Sequence, residues 1–283
     1  MKQELINELI QLAFKEDIGE CDHTTFATVP PLSKGEMKLI IKEEGILAGV
    51  EIAKQIFYTF DSNLNVSVYV SDGREVKQGD VVFTVEGKIR SLLQTERLVL
   101  NVMQRMSGIS TITRKYVKKL EGTNTRLLDT RKTTPCVRVL EKEAVRIGGG
   151  DNHRMGLFDM ILIKDNHVDF AGGIRNAIIQ TKKYLKKKKL QLPIEIEVRT
   201  FDELDEVLET GNIDRIMLDN FDVVNARRAV ERVNGRYKLE SSGKITYDTI
   251  RDYAEVGIDY ISIGALTHSA KSLDMSLKAM GNK

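Results

Sequence analysis

Hydrophobic positions follow two different rules along this chain. In MKQELINELIQLAFKEDIGE, Leu5, Ile6, Leu9, Ile10 and Ala13 recur at helical spacing, which predicts an amphipathic helix packed on a core. Between residues 36 and 90 the runs MKLIIKEEG, LNVSVYV and VVFTVEGKI read as short strands. SDGREVKQGD, between the last two, carries Gly and Asp turn signals. SLLQTERLVLNVMQRMSGISTITRKYVKKLEG then shows long helical periodicity, with a break expected near Gly108.

After residue 124 the rule changes. RLLDT, MILIKD, PIEIEV, RIMLDN, YKLESS and DYISIG are six apolar runs of strand length. Each ends in a polar group or glycine and is followed by a helix-like segment, such as TFDELDEVLETG. This alternation predicts parallel βαβ units, closed either as an open doubly wound sheet or as a barrel. The strand ends favour the barrel, because barrels collect reactive groups at the C-terminal ends of many strands. Here those ends carry Asp129-Thr130-Arg131-Lys132, Lys164-Asp165-Asn166, Glu195/Glu197, Asp219-Asn220, Glu240-Ser241-Ser242-Gly243 and Gly264. A doubly wound sheet would concentrate its site at one switch point, and no GxGxxG follows a strand. Six runs are fewer than the eight strands of a full barrel, so the barrel is expected to be incomplete.

Composition removes several function classes. A net charge of +2 gives no global field for nucleic acid or an anionic membrane. Cys21 and Cys136 match no metal or redox spacing, as expected of a reduced, cytoplasmic protein. Acidic residues interrupt the N-terminal stretch, so it does not read as a signal peptide. No apolar run approaches the roughly 18 residues of a membrane span. The lysine run KKYLKKKKL lacks interleaved aromatics and reads as a solvated helix end.

Chemistry concentrates in a cationic set of Arg131, Lys132, His153, Arg154 and Lys164, with Glu197 and Asp219 as minority acids. Arg grips carboxylate and phosphate through its fork and Lys acts as a point charge, so the set points to a polyanion. The two acids have a metal-binding or charge-stabilising reading and an equally open salt-bridging one. SSG (241–243) and IGAL (263–266) follow the last two runs, where barrel enzymes often hold phosphate. IGGGDNHRMG (147–156) matches neither a Walker loop nor a dinucleotide fingerprint. Thr134 and Pro135 read as cap and first turn of a helix continued by Leu140, Ala144 and Ile147, with Gly148 as its stop. Residues 148–159 would then climb back to the reactive face, deliver His153 and Arg154, and supply a seventh strand.

LLDTRKTTP, GGGDNHRMGL, ILIKDNH, IEIEV, IMLDNF, ESSG and SIGALTHS occur in the order and spacing of quinolinate phosphoribosyltransferase, also called carboxylating nicotinate-nucleotide pyrophosphorylase. KEDIGECDHTT and KEEGILAG resemble that family as well, so the likeness spans nearly the whole chain. It implies an N-terminal α/β sandwich over 1–110, joined by a C-terminal helix over 267–283. It implies an open parallel α/β barrel of about seven strands over 111–266. It also implies a homodimer with shared active sites or a homohexamer, and a magnesium-dependent pentosyl transfer from phosphoribosyl pyrophosphate to quinolinate with loss of CO2.

Carried over residue by residue, Thr130, Arg131, His153, Arg154 and Lys164 are similar to the quinolinate contacts. Arg97 resembles the arginine lent by the neighbouring subunit. Lys132, Glu197 and Asp219 match the groups around ribose, pyrophosphate and Mg2+, the two acids as its direct or water-mediated ligands. Ser242, Gly243, Lys244 and Gly264 match the 5′-phosphate cradle, with His268 beside it. Three positions depart from the family pattern: Cys136 and Lys244, where glycine is usual, and Glu143, where an aromatic is common. The first and last are placed on the helix after Pro135. A paralogue with another acceptor, a Schiff-base aldolase using Lys164 and a basic RNA-binding module remain as rivals.

Overall fold

The structure, a computed structural model, describes residues 2–280. The chain opens with α1 (Lys2–Ile18), α2 (His23–Thr28), β1 (Lys34–Ile41), β2 (Gly45–Ile46) and α3 (Val50–Phe60). It continues through β3 (Asn65–Val68), β4 (Glu75–Val76), β5 (Val81–Lys88) and the long helix α4 (Ile89–Lys119). Strand and helix then alternate: β6 (Arg126–Leu128), α5 (Arg138–Gly148), β7 (Ile161–Ile163), α6 (Asp165–Ala171), α7 (Ile174–Lys188), β8 (Ile194–Val198) and α8 (Phe201–Thr210). The last elements are β9 (Arg215–Asp219), α9 (Val223–Val233), β10 (Lys238–Ser242), α10 (Ile250–Glu255), β11 (Tyr260–Ser262), α11 (Ala265–His268) and β12 (Met275–Ala279). These group into two compact units. The first comprises the chain up to Arg114, Lys132–Gly149 and the chain from Ala265 on; the second comprises Lys115–Arg131 and Gly150–Gly264.

The first unit is built on an antiparallel sheet ordered β12-β1-β5-β3. Alternation in β1 buries Met37, Leu39 and Ile41 on one face, where Phe83 of β5 stacks edge-on against Phe57 of α3 at 5.8 Å. Helix α1 buries Ile6, Ile10 and Phe14, one stripe of its expected apolar face, and leaves Leu5 exposed. Two sequence expectations are corrected here. The described part of 267–283 is not one helix: α11 ends at His268 and a strand follows. Met275 and Leu277 alternate with Ser276 and Lys278, a period-2 pattern, and β12 pairs antiparallel with β1. Helix α4 is also unbroken at Gly108. A Cβ there would lie 2.0 Å from the Lys271 carbonyl oxygen, so the glycine permits a close crossing rather than a break.

Helix α5 starts later than Thr134-Pro135 suggested, at Arg138, with Val137 as its cap. Thr134 instead gives its backbone N–H and hydroxyl to the buried Glu141 carboxylate (3.0 and 2.8 Å). Cys136 therefore lies outside the helix, with φ of +65°, which explains why glycine is usual at that position. Glu143 is on the helix and pairs with Lys2 (2.7 Å) and Arg146 (2.5 Å). The helix stop is Gly149, left-handed with φ of +97°, not Gly148. Gly148 is the last helical residue, and a Cβ on it would lie 2.7 Å from the Ser110 carbonyl.

In the second unit all six sequence runs form strands, in one parallel sheet ordered β6-β11-β10-β9-β8-β7. The first strand of the run pairs with the last, and β6 and β7 form the two edges. That order is the circular order of a barrel opened between its first two strands. The climbing segment meets β6 at that edge through one parallel bridge, Leu128 to Asp151, which stands where a seventh strand was expected. The Asp151 N–H donates to the Leu127 carbonyl at 2.8 Å and the Asp129 N–H to the Asp151 carbonyl at 3.2 Å.

The register assigns side chains to faces. Glu195 is level with Arg215, Glu197 with Met217, Asp219 with Ser242 and Glu240 with Tyr260, so these residues share one face. Ile196, Ile216, Leu218, Leu239 and Ile261 share the other, and all are buried. Strands β8 and β10 are two positions apart, roughly 9.5 Å in a flat sheet. Glu195 and Glu240 nonetheless approach the same His153 nitrogen, at 2.9 and 3.6 Å. The charged face is therefore the concave one.

Candidate active site

The concave face carries two layers of polar groups. At the strand ends, Lys164 Nζ lies 2.7 Å from Glu197 Oε2; the lysine is half exposed and the carboxylate buried. Lys164 caps α6, where its backbone N–H donates to His167 Nδ1 at 2.9 Å. Asp219 shares the face of Glu197 and accepts from the Asn220 side-chain amide at 2.9 Å. Gly243 follows Ser242 with φ of +117°, and a Cβ on it would meet Asn220 Oδ1 at 2.4 Å. Only glycine fits that turn, which places the backbone after β10 in the open with Lys244 exposed beside it.

The climbing segment is held by Asp129, which is fully buried at the end of β6. Its Oδ1 accepts the His153 backbone N–H at 2.9 Å and its Oδ2 the Asn152 side-chain amide at 2.6 Å. Arg154 follows, with Nη1 donating to the Met160 carbonyl at 3.3 Å. Burial, and then the charge of Arg131, lower the affinity of its guanidinium for its proton, so the two cations feel one another. Of the expected site residues, Thr130, Arg131, His153, Arg154, Lys164, Glu197, Asp219, Ser242, Gly243, Lys244 and Gly264 all belong to this unit. Arg97, Lys132 and His268 belong to the first unit. Arg97 is exposed on α4, and the Lys132 carbonyl accepts the Thr267 hydroxyl at 2.8 Å.

Deeper in the concave face lies a layer that the sequence motifs singled out only in part. Glu195 and Glu240 are fully buried, and Arg215 Nη1 reaches Glu240 Oε2 at 2.9 Å and Glu195 Oε2 at 3.9 Å. The Arg215 guanidinium also stacks on the Tyr260 ring, 4.1 Å from its centroid. Burial pushes both carboxyls up to about 7, and the Glu195 charge adds to the rise at Glu240. Arg215 drew no notice in the sequence. Its signal was the charged–apolar alternation that IEIEV keeps throughout and that RIMLD and KLESS keep in part, unusual where parallel strands normally read as continuous apolar runs.

A half-open parallel barrel whose strand ends present cations around two carboxylates is the frame of a barrel enzyme for acidic small molecules. Residues 22–107 match the family described as "Quinolinate phosphoribosyl transferase, N-terminal domain", and residues 109–278 match its "C-terminal domain". The chain belongs to the quinolinate phosphoribosyltransferase family. Among curated relatives it is 44% identical to "Quinolinate phosphoribosyltransferase [decarboxylating] 2, mitochondrial" of Nicotiana glauca, covering 96% of this chain and 82% of that one. It is 40% identical to the "Probable nicotinate-nucleotide pyrophosphorylase [carboxylating]" of Bacillus subtilis, over 96% and 92% of the two chains. Among solved structures, NadC from Streptococcus pyogenes superposes with a TM-score of 0.91 at 38% identity, over 98% of this chain and 97% of that one. No helix among the described residues is long and apolar enough to cross a membrane.

Proposed function

We propose that the protein transfers the phosphoribosyl group of phosphoribosyl pyrophosphate to quinolinate with decarboxylation, forming nicotinate mononucleotide, pyrophosphate and CO2 for NAD biosynthesis. The observation that carries the reading is a cationic set, Arg131 and Arg154 close enough to feel each other's charge and Lys164 at a strand end, beside acids that are already engaged, Glu197 by Lys164 and Asp219 by Asn220. Such a set suits a substrate with two carboxylates, since one carboxylate would leave cations uncompensated. Thr130 and His153 frame that site, and Arg97, exposed on α4, is the arginine a second protomer lends in a homodimer with shared sites. Gly243, with Ser242, Lys244 and Gly264, offers backbone N–H groups to the 5′-phosphate, and the resemblance assigns Lys132 and His268 to the same substrate.

The chemistry needs no nucleophile from the protein. The bond from ribose C1 to pyrophosphate breaks as the quinolinate ring nitrogen bonds to C1, and positive charge builds on the ribose meanwhile. Glu197 and Asp219 stabilise that charge electrostatically. The alkylated nitrogen is cationic, so the electron pair left at C2 by departing CO2 is stabilised by the adjacent charge before C2 takes a proton from solvent. Glu197 and Asp219 also fit Mg2+, which is commonly held by one or two carboxylates plus substrate oxygens and water. When bound, Mg2+ would neutralise the leaving pyrophosphate. The free thiols Cys21 and Cys136 accord with a cytoplasmic protein.

The test is direct. Purified protein given quinolinate, phosphoribosyl pyrophosphate and Mg2+ should release CO2 and form nicotinate mononucleotide. No turnover, or equal turnover with nicotinate, would sink the reading. Arg97→Ala and Arg131→Ala, each inactive alone, should regain partial activity when mixed under subunit exchange; no recovery would refute the shared site.

A further inference from the structure

The deep polar layer of the barrel ends on one ring of His153, and the two nitrogens of that ring are already committed. The Arg154 backbone N–H donates to His153 Nδ1 at 2.7 Å, so Nδ1 carries no proton. In the neutral ring the proton then sits on Nε2, which faces Glu195 Oε2 at 2.9 Å and Glu240 Oε2 at 3.6 Å. The side chain is only 6% exposed, so the ring presents little to the open face. Asp129 fixes the His153 backbone from the other side.

The two glutamates and Arg215 form a polar column, from the Tyr260 ring through Arg215, Glu240 and Glu195 to His153. The same trio, His153, Glu195 and Glu240, brings three potential ligand atoms within 4.8 Å of one another. A metal reading nonetheless conflicts with the ring. Ligation through Nε2 needs a lone pair there and the proton on Nδ1, where the Arg154 N–H already points.

We propose that Glu195 and Glu240 are positioning residues for the acidic substrate. They seat the His153 ring inward, and the ring, through its bond to the Arg154 N–H, orients the Arg154 guanidinium toward the substrate carboxylates. On this account His153 serves quinolinate binding by aiming Arg154, and its ring nitrogens do not contact the substrate. The inference rests on the dicarboxylate reading above.

Full-length wild type, Glu195→Gln and Glu195→Leu are compared by steady-state kinetics, each substrate varied with the other and Mg2+ saturating. Gln keeps a polar oxygen facing Nε2 at that position, and Leu does not. The expected result is a rise of about tenfold or more in the quinolinate KM for Glu195→Leu, with Glu195→Gln within about threefold of wild type. The kcat and the phosphoribosyl pyrophosphate KM should stay near wild type in both. An unchanged quinolinate KM in Glu195→Leu, or an equal rise for both substrates, overturns the proposal. If Glu195→Leu does not fold, the ring itself decides: 15N spectra of histidine-labelled wild type, with the His153 signal assigned by loss in His153→Asn, should show Nε2 protonated and Nδ1 bare. A proton on Nδ1, or stoichiometric metal in the purified protein, overturns it. Absence of turnover in wild type would instead strike at the reaction assigned above, leaving the ring measurement to judge this inference.

Discussion

The antiparallel sheet of the first unit turns Met37, Leu39, Phe83 and Val85 into its core, as a half-buried sheet ordinarily does. The parallel sheet of the second unit reverses the usual assignment for a barrel. Its convex face takes Ile196, Ile216, Leu218 and Ile261, and its concave face takes Glu195, Glu197, Arg215, Asp219 and Glu240. Barrel interiors are normally filled with branched apolar side chains. Filling this one with charge forgoes apolar burial and gains a preorganised field on the concave face. The first sheet is thus a stability element, and the second holds a layer of charge that the reaction proposed above would use.

Perturbing one sheet at a time should separate the two roles. The largest effect is expected from Phe83→Ala, which empties a fully buried aromatic site beside Phe57. It should lower unfolding free energy by about 3–5 kcal/mol in urea titration, while the KM values of the folded fraction stay unchanged. A comparable shift in substrate KM would erase the distinction. Gly243→Ala should do the opposite. Its Cβ meets Asn220 and its backbone is left-handed, so the phosphoribosyl pyrophosphate KM should rise about tenfold. The loss of stability should be smaller than for Phe83→Ala.

A third measurement uses pH. Glu195 and Glu240 bind their protons more tightly folded, at about 7, than at the ordinary value of 4.5. Their contribution to stability is therefore full below about pH 4.5 and is lost as pH rises through about 7. Urea midpoints taken from pH 5 to pH 8 should fall across that window, and Glu240→Gln should flatten the slope. A wild-type midpoint that climbs instead would show that the concave layer is ionised without cost. The smallest effect is expected in the first unit, where Cys136→Gly relieves a φ of +65° and should add about 0.5–1 kcal/mol without altering turnover.

Much of this organisation was legible in the residues. All six runs after residue 124 became strands because each pairs a short apolar stretch with a turn signal. The errors have physical causes. The resemblance implies a helix through MSLKA, whereas its own pattern has period 2 and its partner, β1, is over two hundred residues away in sequence. Gly108 read as a break because a glycine that admits a crossing carbonyl and one that ends a helix look alike in one dimension. The first glycines of IGGGDNHRMG divided their tasks in a way only coordinates reveal: Gly148 for close packing and Gly149 for the left-handed stop.

The sequence by itself determined the family, the parallel run and the cationic character of the strand ends, because each is written in local pattern and residue type. The tertiary structure decided which way those residues face. Strand pairing sets the register, the register sends Glu195, Arg215 and Glu240 to one concave surface, and curvature brings carboxylates from β8 and β10 onto a single imidazole. That convergence joins residues 153, 195 and 240. No local signal encodes it, since their distance depends on how a whole sheet closes.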